Sequence, residues 1–128
     1  MKLLLDTHAF VWWDSEPGQL SERVMELCQK QENTVLLSVV SVWEMHIKAR
    51  LGKLTLAQPL AELVQNQQVT NRIEILPVEL SHVLALEELP THHKDPFDRL
   101  LIAQAVSEGA ILLSKDLIFD QYSVEVIW

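Results

Sequence analysis

The chain has 128 residues, 48% apolar and 22% charged, the profile of one folded domain rather than a disordered chain. Its 18 Asp and Glu against 10 Lys and Arg give a formal charge of −8, which argues against broad, metal-free binding to a phosphate backbone. A cation held by placed acids would still let phosphate approach, so where the acids sit matters more than their number.

Lys2 to Leu5 reads as a short buried strand. Its apolar run turns acidic at Asp6, so neither a signal peptide nor a membrane span is expected. Thr7 to Trp13 reads as a helical turn, followed by the loop Asp14-Ser15-Glu16-Pro17-Gly18. The next helix has Ser21 as its N-cap and Leu20, Val24 and Leu27 on one face. Cys28, the only cysteine, falls on this helix as a small core residue. One cysteine allows no internal disulfide and fits a reducing compartment, so a cytoplasmic location is expected.

Thr34 to Leu37 is a second strand. Ser38 caps a helix ending near Leu51, with Gly52 as its stop. Pro59 to about Gln68 is helical, Arg72 to Leu76 is a third strand closed by Pro77, and Glu79 to Leu89 is a helix ended by Pro90. Asp95-Pro96 opens the clearest helix: an acidic cap, proline at the first position, and Gly109 at the far end. Its stretch from Leu100 to Val106 has one polar residue, Gln104, and is expected to be buried all round. Ala110 to Leu113 and Val124 to Trp128 complete five strands. Strands alternating with helices predict an α/β fold, a parallel sheet covered on both faces. With 3 glycines and 5 prolines, no flexible linker or repeat divides the chain, and residues 1–128 are read as a single domain.

In such sheets, ligands bind beyond the carboxyl ends of the strands, where the strand order switches. Asp6 directly follows the first strand and Asp116 comes three residues after the fourth. Either could simply cap a helix or make a turn; the two at equivalent positions point to a site. Glu44 interrupts the stripe Val40, Glu44, Ile47, Leu51. It either pairs at the surface with Lys48, one turn on, or is a buried carboxylate needing a partner. Asp98 lies in the first turn behind Asp95, which is consistent with a capping arrangement or with projection into a crevice. Two unit charges ~4 Å apart repel by about 4 kcal/mol at an effective dielectric near 20. Four converging carboxylates would therefore take up protons or a cation, and oxygen-only ligands suit Mg²⁺ or Mn²⁺.

Leu3-Leu4-Leu5-Asp6-Thr7-His8, Ser41-Val42-Trp43-Glu44, Asp95-Pro96-Phe97-Asp98-Arg99 and Ser114-Lys115-Asp116-Leu117-Ile118-Phe119 resemble, in order, the four acidic signatures of PIN-domain proteins. The resemblance spans the chain, and its length is similar to that of VapC-like toxins from toxin–antitoxin pairs. The resemblance implies a PIN-like three-layer α/β/α fold and a metal-dependent endoribonuclease leaving 5′-phosphate and 3′-hydroxyl ends. It implies Asp6, Glu44, Asp98 and Asp116 as the catalytic acids around Mg²⁺ or Mn²⁺, with Asp116 the least directly bound. Thr7 and Ser114 match small hydroxyl residues supporting the acids, and Asp95 is a cap first and a site residue second. A small antitoxin covering the acidic groove and a homodimer are further implications. Leu20, Val24 and Leu27 could serve the antitoxin contact, although an ordinary core stripe is the plainer reading.

Lys48, Arg50, Lys94 and Arg99 flank the acids and are candidate RNA contacts, with a solvated face as the plainer reading for Lys48 and Arg50. His92 and His93 are adjacent, so they share no helix face; they read as loop residues near substrate. Trp12, Trp13 and Trp43 lie near acids and could stack on bases, although tryptophan in so small a domain more often packs in the core. Rival readings are a receiver-type phosphoacceptor module, a haloacid-dehalogenase-like phosphatase and a non-catalytic PIN-like RNA-binding module. The first two want acid pairs that this chain lacks: Thr7 and His8 follow Asp6, and the third strand ends in Leu76-Pro77.

Overall fold

Leucine-rich runs become the middle of a five-stranded parallel sheet in the computed structural model, which describes residues 1–128. β1 (Lys2–Leu5) lies at the centre, between β2 (Thr34–Ser38) and β4 (Ile111–Leu113); β3 (Glu74–Leu76) and β5 (Val126–Ile127) form the edges. The order is β3-β2-β1-β4-β5 and every pairing is parallel. This is not the 2-1-3-4-5 order of receiver-like folds, so the receiver reading is overturned.

Side chains alternate across each strand and divide the core in two. Leu3, Leu5, Val35, Leu37, Ile111 and Leu113 face α1 (Thr7–Ser15), α2 (Glu22–Gln29) and α4 (Leu60–Asn71) through Phe10, Val24 and Leu63. Leu4, Leu36 and Leu112 face α6 (Pro96–Glu108) through Leu101, Ile102 and Ala105. α3 (Val39–Arg50) gives Met45 to the first cluster and Val40 to the second. Both faces are therefore covered, as the continuous apolar strands require.

Ser21 caps α2, and Cys28 is buried. Asp95, Pro96 and Gly109 bound α6 as their residue types predict, with Gly109 at φ 64°. Leu101 to Ala105 are buried on all sides, but Val106 is exposed, so the buried stretch is shorter than expected. α1 continues to Ser15 instead of stopping at Trp13. α3 ends at Arg50, and α4 extends three residues past Gln68. Arg72 is not strand: it terminates α4 in the left-handed region at φ 56°, and β3 starts at Glu74. The expected helix from Glu79 to Leu89 is α5 (Leu80–Leu84) followed by a 3-10 turn, Ala85–Glu88. β4 and β5 are shorter than expected. No helix is long and apolar enough to cross a membrane.

Candidate functional site

The chain leaves β1 towards β2 and β3 on one side, then returns to place β4 and β5 on the other. The switch point lies beyond the carboxyl ends of β1 and β4. Asp6 and Asp116 emerge there, joined by Glu44 from α3 and by Asp95 and Asp98 from α6, around one cavity of about 150 Å³. Five carboxylates thus line a space whose walls offer one ammonium, that of Lys48.

The capping and site readings of the acids coincide. Asp6 caps α1, its Oδ1 accepting from the Ala9 amide at 2.7 Å. Asp95 caps α6, accepting from the amides of Phe97 at 2.9 Å and Asp98 at 3.2 Å. Asp116 caps the 3-10 turn Leu117–Gln121 through the Ile118 amide at 3.0 Å. Two α-helices and a 3-10 turn therefore begin at the cavity, where unpaired amides and helix dipoles favour negative charge.

Hydroxyls fix two of the carboxylates. Ser114 donates to Asp6 Oδ2 at 2.5 Å and accepts from the Asp116 amide at 3.0 Å. Thr7, itself buried, donates to Glu44 Oε1 at 2.5 Å and lies 3.1 Å from the Ser41 hydroxyl. Glu44 is both buried and paired: only 6% exposed, with its Oε2 2.9 Å from Lys48 Nζ. Of the two readings left open by its helix stripe, the buried carboxylate holds, with Lys48 and Thr7 as its partners.

Burial pushes the Asp6 carboxyl above its ordinary range, with Asp116 adding to the rise; the Ser114 and Ala9 hydrogen bonds and His8 oppose it. Asp98 is pushed up to about 7, first by burial and then by Asp95, Glu44, Asp116 and Asp6. A carboxyl facing four other acids holds its proton because ionising it adds an unbalanced charge. His93 also approaches Asp98, with Nε2 3.5 Å from Oδ2 and no hydrogen bond of its own. Its Nδ1 lies 2.7 Å from the Tyr122 hydroxyl, and its ring packs edge-on against Phe119 and Tyr122. Sequence reasoning placed His93 in a loop near substrate and did not see this contact, because Tyr122 is 29 residues away.

The candidate RNA contacts divide. Lys48 lines the cavity and pairs with Glu44. Arg99 does not pair with a carboxylate: its Nη1 donates to the Pro90 carbonyl at 2.9 Å and pins the loop before α6. Arg50 and Lys94 are exposed and stand outside the cavity lining. Trp43 is 59% exposed and meets Phe97 edge-on at 5.2 Å. Trp13 packs at the margin of the core. A separate cavity of about 290 Å³ includes Cys28, Lys30, Val35 and Arg72 and has no carboxylate in its wall. Burial pushes the Cys28 thiol up to about 12, so it is no ready nucleophile.

The family model for the PIN domain matches residues 3–125. The chain belongs to the PIN domain family. It is 28% identical over 115 residues to Ribonuclease VapC22 of Mycobacterium tuberculosis (strain H37Rv), covering 89% of this chain and 86% of that protein. The fold is similar to that in VapBC2 from Rickettsia felis bound to a promoter DNA fragment: TM-score 0.76, 18% identity, 99% of this chain and 98% of the other. It also resembles DNA-bound VapBC from Salmonella typhimurium, with TM-score 0.69, 16% identity, and coverage of 99% and 97%. A family member with this sheet order is the PIN-like α/β/α fold that the four acidic signatures implied.

Proposed function

We propose that this PIN domain is a divalent-metal-dependent endoribonuclease and the toxin of a toxin–antitoxin pair. The observation that carries the reading is the wall of five carboxylates at the sheet's switch point, with the Asp98 carboxyl held up to about 7. Likeness to a protein named Ribonuclease VapC22 supports the choice of RNA.

The donor set fits a hard divalent ion in charge and atom type, since carboxylate oxygens suit Mg²⁺ or Mn²⁺. No three acid, histidine or cysteine side chains are gathered tightly enough to hold an ion as they stand. Each Asp6 oxygen accepts one hydrogen bond and keeps a second lone pair that could face an ion. Asp6, Glu44 and Asp98 would hold the ion, and Asp116 would complete the cage. A bound ion lowers the pKa of water and offsets phosphate charge. Thr7 and Ser114 keep Glu44 and Asp6 aimed inward, and Asp95 fixes the first turn that carries Asp98. Asp98 would have to give up its proton to hold an ion. Lys48 pairs with Glu44 and would be free to meet phosphate if the ion took that carboxylate; Arg50 and Lys94 would meet backbone farther out, and Arg99 pins the loop that carries Lys94.

A small antitoxin and a second copy of the chain are the proposed protein partners, and the cytoplasm the proposed compartment; the similar VapBC structures support the antitoxin. A non-catalytic RNA-binding module is the second reading, favoured by the Lys48–Glu44 pair and the open ligand set. Cleavage separates them. Purified chain, free of partner, is incubated with structured RNA and Mg²⁺ or Mn²⁺, with and without chelator. Chelator-sensitive cleavage, abolished by Asp6→Asn and by Asp98→Asn, is expected. Equal cleavage by the variants would overturn the assignment; binding without cleavage would support the second reading.

A further inference from the structure

Beside the acidic cavity lies a second, open hollow of about 210 Å³, lined by Asp6, His8, Trp12, Lys115 and Asp116. His8 and Trp12 are one helical turn apart on α1, so their side chains share a face. Their rings stack at 5.7 Å with 29° between planes. Trp128 braces the indole edge-on at 5.8 Å. Lys115, exposed, projects from the turn between Ser114 and Asp116. Asp6, His8 and Asp116 belong to the walls of both hollows, so whatever enters one adjoins what occupies the other.

We propose that His8, Trp12 and Lys115 form a nucleobase-binding subsite for the nucleotide adjoining the scissile phosphate, an inference that rests on reading the acidic cavity as a nuclease centre. The chemistry is complementary on each side. Flat stacked rings offer a π-surface to any base, and stacking on aromatics tolerates sequence. The lysine supplies the one cation this hollow offers, suited to the phosphate or sugar edge of a nucleotide. The acids repel a polyanion, so a stacked base beside them would carry binding energy that the backbone cannot supply alone. The subsite grips a base next to the phosphate without reading its hydrogen-bonding edge, and it favours unpaired RNA, whose bases are free to stack.

Binding is read without turnover, on the full chain in chelator, from NMR signals of the Trp12 indole and His8 imidazole. The probes are adenosine and uridine 5′-monophosphate, with ribose 5-phosphate as a base-free control and an arginine-rich peptide as a rival cationic occupant. Both nucleotides are expected to saturate and to shift these signals, while ribose 5-phosphate binds at least tenfold more weakly. His8→Ala and Lys115→Ala, at exposed positions that leave the fold intact, should each weaken nucleotide binding about fivefold or more. Trp12→Phe should keep most of it, preserving a ring where Trp12→Ala could unsettle the packing on Trp128. Equal binding of ribose 5-phosphate, response to the peptide but not to nucleotides, or unchanged affinity in both exposed variants would overturn the subsite. Cleavage is measured separately. Nucleotide binding without metal-dependent cleavage supports the subsite and overturns the nuclease reading; cleavage without nucleotide binding does the reverse.

Discussion

α6 carries two polar clusters, one buried and one opening on a cavity, that differ in how their charges are met. Midway along it, Gln104 accepts from Ser38 at 2.5 Å and donates to the Pro77 carbonyl at 3.2 Å. Beside it His82, wholly buried, accepts from the Glu79 amide at 3.0 Å and meets Glu108 at 3.1 Å. Its hydrogen bond is the main cause holding the Glu108 carboxyl below its ordinary range. Each ring nitrogen and amide atom has a partner, and the Glu108 carboxylate also meets the Lys2 ammonium at 3.6 Å. At the start of the same helix, Asp98 faces four carboxylates and is pushed up instead. Satisfied polar groups tie elements together; unsatisfied charge marks where a ligand belongs. Ser38 also caps α3, so the satisfied cluster fixes the helix carrying Glu44 to the helix carrying Asp98.

The sharpest break in this contrast is Asp98→Asn. Removing a carboxylate that others repel should raise Tm by a few degrees while cutting RNA cleavage by about 10²-fold or more. Loss of stability together with activity would place Asp98 among the structural groups. His82→Ala should do the opposite, costing about 3 kcal/mol by denaturant unfolding and sparing cleavage per folded molecule. Thr7→Val lies between them: it keeps the shape but leaves a buried Glu44 oxygen without its donor, and should lower cleavage about 10–100-fold at a stability cost of about 1–2 kcal/mol. Steady-state kinetics beside thermal melts would separate these outcomes.

A pH series sharpens the comparison further. Asp98 titrates near 7 when folded and near 3.8 when unfolded, so the folded state holds an extra proton between those values. Its contribution to metal-free stability is complete below about 4 and is lost as pH rises through about 7. The Tm advantage of Asp98→Asn over wild type should therefore grow from pH 5 to pH 8. A constant difference would mean that Asp98 ionises normally.

How much was legible follows from where the information sits. Strands of consecutive leucines and the α6 boundaries are local, and both were readable. The acids were readable because each stands at the end or on the stripe of a core element. Arg72 departs from the expected strand because the chain must reverse after α4, and a left-handed residue there has no local signature. The helix from Glu79 tightens to a 3-10 turn after Leu84, with Leu80 and Leu84 left exposed, so Pro90 marks the end of the helical run and not of the α-helix. The His93–Tyr122 contact and the approach of Lys115 to Trp12 join residues far apart in sequence, visible only once the sheet order brings them together.

The central claim is that the acidic cavity, and not the satisfied cluster, binds the ion. Calorimetric titration of Mn²⁺ at pH 8 into wild type, Asp98→Asn and His82→Ala tests it most directly. Saturable binding by wild type and His82→Ala, lost in Asp98→Asn, is the predicted result. Equal binding by Asp98→Asn, or no binding by wild type, would contradict it.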